Sequence, residues 1–276
     1  MLTSLARPTS GNIFFNGIDY TAHIKKAQDL IGIVPDESNL YDELDGFNNL
    51  CFCASLYGIG KAERERRAKK LLNQFNLTNA GEKLYKSYSK GMKRKLTITA
   101  GIIHKPSVLF LDEPTTGIDV ASARQIRSLI KNLNCTGTTI FMTTHYIEEA
   151  EWLCNRIAFI VNGQIIKIGT IHELMQDMQK ERIIQFSFDS ATQPNRFAQD
   201  FCRQFSQCQL TQIQDSVFQV RSETVLDLIP FMTFFNARGI KVMETKIIKP
   251  PLEEVFVKIT GIERDMMKKE KEGKIK

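Results

Sequence analysis

The 276-residue sequence lacks any apolar run near the roughly 18 residues that a helix needs to cross a bilayer. Its start lacks a charged segment followed by an apolar core, so no secretory signal peptide is expected. The six cysteines lack CxxC spacing, since Cys51 and Cys53 are two apart and the others are scattered. We therefore expect reduced, mostly buried thiols in a cytoplasmic chain whose links to a membrane run through a partner.

Positive charge is only mildly in excess, with 37 Lys and Arg against 31 Asp and Glu. Part of that excess lies in the last stretch, residues 263–276, which we interpret as a charged tail. Such a tail either touches nucleic acid or an anionic membrane surface, or is a solvated end that keeps the protein soluble. Because no aromatic-basic interleaving or recognition-helix motif accompanies it, no nucleic-acid partner is expected.

The first part of the chain alternates strand-like and helix-like segments. Residues 1–6 are typical of the end of a helix that Arg7-Pro8 stops, and 11–16 of a strand before an Asn16-Gly17 turn. Uniformly apolar strands alternating with helices indicate a largely parallel sheet covered on both faces. The predicted strands are 31–34, 108–111, 138–142, 157–161 and 164–168, and the predicted helices are 61–75, 90–103 and 120–133.

After about residue 180 the pattern changes to strand, helix, two strands, helix and strand. This order is that of a small βαββαβ unit, which predicts a separate accessory domain. The predicted strands are 182–188, 209–214, 217–221 and 240–247, and the predicted helices are 194–205 and 224–235.

Two adjacent carboxylates follow the apolar strand of VLFLDEPTTGID. The strand delivers Asp112 and Glu113 to its carboxyl end, where ligands bind in open α/β sheets. There, one carboxylate can hold a hydrated Mg²⁺ while the other orients a water for attack on a phosphate. The alternative is an ordinary acidic loop at a strand end.

The segment SYSKGMKRKL starts the predicted helix at 90–103. Ser89 is a good N-cap, and Gly91 allows a ligand to approach the backbone. Lys90, Lys93 and Arg94 place cations where the helix dipole is already positive, which favours an anion such as phosphate at this helix end. An exposed basic first turn is the alternative.

The strand of TTIFMTTHYIEEAE brings His145 to the same edge of the sheet. A lone histidine of this kind is either a structural hydrogen-bonding group or part of the site. His145, Glu148 and Glu149 have helical spacing that would also suit a metal site, although a further ligand is missing.

Together these motifs resemble the nucleotide-binding subunit of ABC transporters, from Met1 to about Ile171. SKGM at 89–92 is similar to the signature motif, VLFLDE to Walker B, TGID to the D-loop, and His145 to the switch histidine. PPLEEVFVKITG resembles the accessory region of ABC-2-type drug-export subunits, such as the daunorubicin-resistance group.

The resemblance implies an α/β, P-loop NTPase-like (ABC ATPase) sheet with a helical subdomain at about 40–105, N-terminally truncated, plus a small α+β accessory domain. The expected domains are a nucleotide-binding domain over 1–175, the accessory domain over 180–262 and the tail over 263–276.

The same resemblance implies ATP and Mg²⁺ as cofactors and a role for each matching residue. Asp112 would hold the magnesium ion, Glu113 would polarise the attacking water, and His145 would contact the γ-phosphate. Ser89, Lys90, Gly91 and Met92 would form the motif that binds the nucleotide of the opposite subunit, and Asp119 would act across the dimer; Asp36 occupies the Q-loop position, where glutamine is usual.

The phosphate-loop motif GxxxxGK[ST] occurs nowhere in the sequence. YGIGKAE at 57–63 is rejected because its spacing is wrong and it follows a helical pattern. The resemblance therefore implies that the chain begins downstream of that loop, and we expect it to bind ATP weakly or not at all and not to hydrolyse it alone.

The expected partners are a transmembrane permease and a second nucleotide-binding subunit, in a homodimer or a heterodimer, with the chain peripheral at the inner face of the cell membrane. Closure and opening of that dimer would drive export. A non-hydrolysing subunit that completes the ATP site of another subunit is the alternative.

Overall fold

The computed structural model describes residues 2–3, 6–175, 182–189, 197–222, 227–248 and 252–261. The chain divides into two compact units, Met1–Glu149 and Ala150–Lys276. Of the predicted helix end at 1–6, Leu2 and Thr3 form a turn, while Met1, Ser4 and Leu5 lie outside the described residues. The charged tail at 263–276 also lies outside them.

The first unit contains the predicted alternation of strands and helices, and the division at Glu149 falls within its last helix. Its elements are β1 (Phe14–Phe15), β2 (Ile18–Asp19), β3 (Ile31–Val34), α1 (Gly46–Leu56), α2 (Lys61–Gln74), α3 (Lys90–Ile102), β4 (Val108–Asp112), α4 (Val120–Cys135), β5 (Thr139–Thr143) and α5 (Ile147–Leu153). Short 3-10 turns cover Ile24–Leu30, Thr78–Ala80 and Tyr85–Ser87.

The predicted Asn16-Gly17 turn joins β1 to β2. Both residues have positive φ, 50° and 78°, as the type I′ turn of a two-residue hairpin loop requires. The pairing of Phe15 with Ile18 confirms the turn, but the strand before it is shorter than the predicted 11–16.

A parallel sheet in the order β3-β4-β5 is the centre of the first unit. Helix α3 lies directly on one face, because a Cβ on Gly32 would stand 2.2 Å from the carbonyl oxygen of Gly101. Leu109 and Leu111 are buried beneath it. Consecutive parallel strands in register bring their carboxyl ends to one edge, where Asp112 pairs with Thr143.

The other face of this sheet is only partly covered, so the prediction of cover on both faces is wrong there. Ile31 packs with Ile13, Phe15 and Ala27 at the β3 side. Phe141 of β5 remains 49% exposed, although its ring contacts Phe110 of the same face, with centroids 5.4 Å apart.

Helices α1 and α2 pack against each other in the region where the sequence predicts a helical subdomain. Asp45 is the N-cap of α1 and accepts from the backbone N–H of Asn48 at 2.7 Å. The fully buried Asn49 amide donates to the carbonyls of Tyr41, Leu44 and Asp45 and so holds the turn that leads into α1.

After residue 180 the second unit has the predicted βαββαβ order, which is confirmed, and its strands form an antiparallel sheet in the order Val242–Ile248, Arg182–Phe188, Val217–Ser222, Gln209–Gln214. Parts of the two predicted helices, 194–196 and 224–226, lie outside the described residues. The elements are β6 (Ile157–Val161), β7 (Gln164–Gly169), α6 (Ile171–Met175), β8 (Arg182–Phe188), α7 (Ala198–Gln204), β9 (Gln209–Gln214), β10 (Val217–Ser222), α8 (Leu228–Ala237), β11 (Val242–Ile248) and α9 (Leu252–Thr260).

The core of the βαββαβ sheet is made largely of phenylalanine. Phe186 and Phe188 of β8 meet Phe235 of α8 edge to face, with Phe188 and Phe235 centroids 4.8 Å apart. Phe188 also meets Phe197, the N-cap residue of α7, edge to face. The polar strand β9 contacts this aromatic cluster through Leu210, while its other residues are exposed.

All six cysteines are free thiols, as expected from their spacing. They are less buried than expected, because Cys135 and Cys202 are exposed and the others are half-buried. Burial raises the pKa of the Cys53 thiol.

Candidate functional site

The carboxyl ends of β4 and β5 form an acidic edge. Asp112, the last residue of β4, accepts a hydrogen bond from the Thr143 hydroxyl at the end of β5. The Glu113 backbone N–H donates to the Thr143 carbonyl at 3.0 Å. Glu113 has a φ of 47°, so the chain turns sharply out of the strand there and the two adjacent carboxylates lie in different surroundings. Asp112 is an exposed residue and Glu113 is half-buried.

His145 meets Glu113 across the two loops that follow these strands. The His145 Nδ1 lies 2.6 Å from Glu113 Oε1, and the Thr116 hydroxyl donates to Glu113 Oε2 at 2.8 Å. The carboxylate is an acceptor, so Nδ1–H is the donor and Nε2 is the ring nitrogen that Glu113 does not use. The structure thus brings together three predicted site residues, Asp112, Glu113 and His145.

The N-termini of α3 and α4 lie side by side and place the signature residues next to Asp119. Ser89 is the N-cap of α3, as predicted, and accepts from the Met92 N–H at 3.3 Å. Asp119 is the N-cap of α4 and accepts from the Ser122 N–H at 2.9 Å, and hydrogen bonds from Ser122 lower the pKa of the Asp119 carboxyl.

The close approach of α4 leaves no room for a side chain at Gly91, a reason for glycine that the sequence did not indicate. A Cβ at this position would stand 2.2 Å from Ser122 Oγ and 3.4 Å from Asp119 Oδ2. The contact joins the signature segment to the D-loop segment within one chain.

Two of the three cations that favour an anion at the start of α3 already have partners within the chain, so they do not require one. Lys93 Nζ lies 3.2 Å from Asp42 Oδ1 and 4.7 Å from the centre of the Tyr85 ring. Arg94 is 3% exposed, so the alternative of an exposed basic turn fails for it. Lys90 is exposed at the first position of the helix.

Arg94 donates to four backbone carbonyls on two loops. Its Nη1 donates to Pro35 and, at 2.9 Å, to Asp36. Its Nη2 donates to Asp112 at 2.5 Å, and its Nε donates to Pro114 at 3.0 Å. Burial lowers the pKa of Arg94, while Asp36 and Asp112 oppose that effect. One guanidinium therefore joins the Asp36 loop to the Asp112–Glu113 loop, which sequence reasoning missed because an arginine among lysines resembles a surface charge.

Asp36 takes part in this network through its backbone carbonyl, which accepts a hydrogen bond from Arg94. The residue itself is exposed. The alternative of a metal site at His145, Glu148 and Glu149 gains no support, because the described residues contain no cluster of three metal-binding side chains. None of the described helices is long and apolar enough to cross a membrane.

Comparison with known proteins gives one consistent family. Residues 1–116 match the ABC transporter domain family. The linearmycin resistance ATP-binding protein LnrL of Bacillus subtilis is 33% identical over 261 residues, which are 95% of this chain and 84% of that protein. The daunorubicin resistance ATP-binding protein DrrA3 of Streptomyces coeruleorubidus is 32% identical over 269 residues, 96% of this chain and 83% of that protein.

Solved structures share the fold over more than half of the chain. An ATP-binding subunit of an ABC transporter superposes with a TM-score of 0.57 and 27% identity, over 64% of this chain and 74% of that one. A dimeric ATP-binding cassette bound to ADP and phosphate superposes with a TM-score of 0.54 and 22% identity, over 60% of this chain and 76% of that one.

The chain therefore belongs to the ABC transporter family. Among its relatives are ATP-binding proteins named for resistance to linearmycin and daunorubicin. The resemblance and the P-loop NTPase-like fold expected from the sequence are therefore confirmed.

Proposed function

We propose that the chain is the ATP-binding and ATP-hydrolysing subunit of an ABC-2-type exporter. The observation that carries this proposal is the 2.6 Å contact of Glu113 with His145 beside Asp112. Two relatives that match almost the whole chain are named for resistance to linearmycin and daunorubicin, and this supports export as the direction of transport. The subunit would lie at the inner face of the membrane, held there by a permease.

Each residue at the sheet edge has a distinct role in this proposal. Asp112, an exposed carboxylate at a strand end with a hydroxyl beside it, offers the oxygen ligands that suit a magnesium ion bound to ATP. Magnesium would neutralise phosphate charge in the reaction. Glu113 orients the attacking water, and its contact with His145 directs the imidazole Nε2 to the γ-phosphate.

The second half of the site would come from the signature segment of an opposing subunit. Ser89, Lys90, Gly91 and Met92 lie at a helix N-terminus, where backbone N–H groups and the helix dipole favour a phosphate. Asp119 adjoins this segment and would carry the state of one site to the other. We propose 1–175 as the nucleotide-binding domain and 180–262 as the accessory domain.

A second function is favoured by a different observation. The capped N-terminus of α3 is complete, whereas GxxxxGK[ST] is absent from the 276 residues. The chain would then complete the ATP site of a subunit that owns a phosphate loop, without hydrolysing ATP itself.

Two matched substitutions separate these functions. ATP hydrolysis is measured for the chain with its permease and a complete nucleotide-binding subunit, using Glu113→Gln, Ser89→Asn and the exposed control Glu148→Gln. Asparagine caps a helix as well as serine, so Ser89→Asn changes the ligand-facing group while the helix stays capped.

Turnover abolished by Glu113→Gln supports the first function. Turnover that survives Glu113→Gln and is lost with Ser89→Asn supports the second, and turnover that survives both contradicts both. The purified chain alone is expected to show little hydrolysis; ordinary turnover that Glu113→Gln abolishes would overturn that expectation.

A further inference from the structure

Glu149 is a buried carboxylate that none of the roles above uses. Its side chain is only 1% exposed. Glu149 lies in the first turn of the short helix α5, next to Glu148. A carboxylate at this depth is stable only when donors surround it. The identity of those donors shows what the residue does.

The two oxygens of Glu149 receive donors from two different loops. The Thr115 hydroxyl, from the loop after β4, donates to Oε1. The Thr144 hydroxyl, from the loop after β5, donates to Oε2 at 3.1 Å. Arg127 of α4 forms an ion pair with the same carboxylate, with its Nε 3.4 Å from Oε1. One carboxylate thus bridges the loops that leave two neighbouring strands.

These two loops carry the pair at the centre of the site. Thr115 lies two residues after Glu113, and Thr144 immediately precedes His145. The Glu113–His145 contact of 2.6 Å therefore depends on the spacing of the loops that Glu149 joins. We propose that Glu149 is a positioning residue, which holds Glu113 against His145 by bridging Thr115 and Thr144.

A role of Glu149 in ATP hydrolysis rests on the proposed function, because only that function assigns the Glu113–His145 pair to hydrolysis. The bridge itself is a property of the folded chain and can be tested without nucleotide. Its failure and the failure of the proposed function are therefore distinguishable.

A double-mutant cycle measures the Glu113–His145 coupling. Urea unfolding of the full chain is followed for the unchanged protein, Glu113→Ala, His145→Ala and the double variant, and the cycle is repeated with Glu149→Ala. We expect a coupling of about fivefold in the unfolding equilibrium constant with Glu149 present. In the Glu149→Ala background it should fall below about twofold.

The outcome distinguishes positioning from simple stabilisation. An unchanged coupling in a less stable Glu149→Ala protein overturns the proposal, as does the absence of coupling when Glu149 is present. Glu148→Ala, at the exposed neighbouring position of α5, should leave the coupling at its original value.

Conservative variants complete the test. Glu149→Gln keeps an acceptor for one threonine and a donor for the other, so it should retain the coupling within about twofold. Loss as complete as with alanine contradicts the bridging role. If Glu149→Ala does not fold, Thr144→Val removes one side of the bridge and must also lower the coupling.

Discussion

Replacement of Arg94 by methionine tests whether one buried guanidinium holds the Asp36 loop to the Asp112–Glu113 loop. Methionine fills similar space but donates no hydrogen bond, so four carbonyl acceptors lose their donor. Pro114 is a buried residue whose carbonyl cannot turn to water, whereas Asp36 and Asp112 are exposed and their carbonyls rehydrate at lower cost.

The magnitude follows from that division. A hydrogen bond to a charged donor contributes about 1.5–3 kcal/mol, and an acceptor left buried costs about 1–3 kcal/mol. Relief of the desolvated charge offsets part of the loss. We expect Arg94→Met to lower the free energy of unfolding by about 3 kcal/mol, which corresponds to a fall of about 1 M in the urea midpoint.

The assay is urea unfolding followed by circular dichroism, with two companions. Arg94→Lys keeps the charge but has a single ammonium group in place of the fork, so it should recover less than half of the loss. Lys90→Met removes an exposed charge from the same helix and should change the free energy by less than about 0.5 kcal/mol. An Arg94→Met protein as stable as the unchanged chain, or a Lys90→Met protein equally destabilised, would refute the reasoning.

Two further predictions concern single contacts. Gly91→Ala should destabilise the chain by about 1–3 kcal/mol in the same assay, because its Cβ would stand 2.2 Å from Ser122 Oγ. Gly60→Ala adds a Cβ that meets nothing within 4 Å and changes only the N-cap of α2, so it should cost less than about 1 kcal/mol. Equal effects of the two substitutions would contradict the packing argument. Burial raises the pKa of Tyr88 to about 12, and its hydroxyl donates to the Ala80 carbonyl at 2.5 Å. The neutral phenol is thus favoured in the folded state, so this stabilisation is full below about pH 10 and is lost as the pH rises towards 12. Ultraviolet titration should detect a late-ionising tyrosine that Tyr88→Phe removes; an unchanged titration curve would contradict the assignment.

Local pattern was sufficient for most elements of the fold. Strand β8 has the predicted bounds, and α3 and β4 differ from prediction by one residue each. Such segments carry their own signals, namely apolar runs, N-caps such as Ser89, and Asn-Gly turns. Helix α1 was predicted only as part of the helical subdomain, without bounds, although Asp45 is an N-cap that the sequence offers. The turn before the helix is held by Asn49, whose partners cannot be recognised before the chain is folded.

The chemistry of the site was also visible in the motifs. Asp112, Glu113 and His145 follow apolar strands, and adjacent parallel strands bring their carboxyl ends together whatever lies between them. The pairing of Glu113 with His145 extends that prediction to an atomic contact.

The family, the order of the elements and the sheet edge with Asp112, Glu113 and His145 could be predicted from the sequence, because they depend on local periodicity and on short motifs. Which charged side chains are buried within the fold became visible only after the chain had folded. Arg94 and Glu149 look like surface charges in the sequence, yet both are buried among donors or acceptors from separate loops. Their partners are far away along the chain, and the cost of burying a charge makes such contacts specific only after the loops have met.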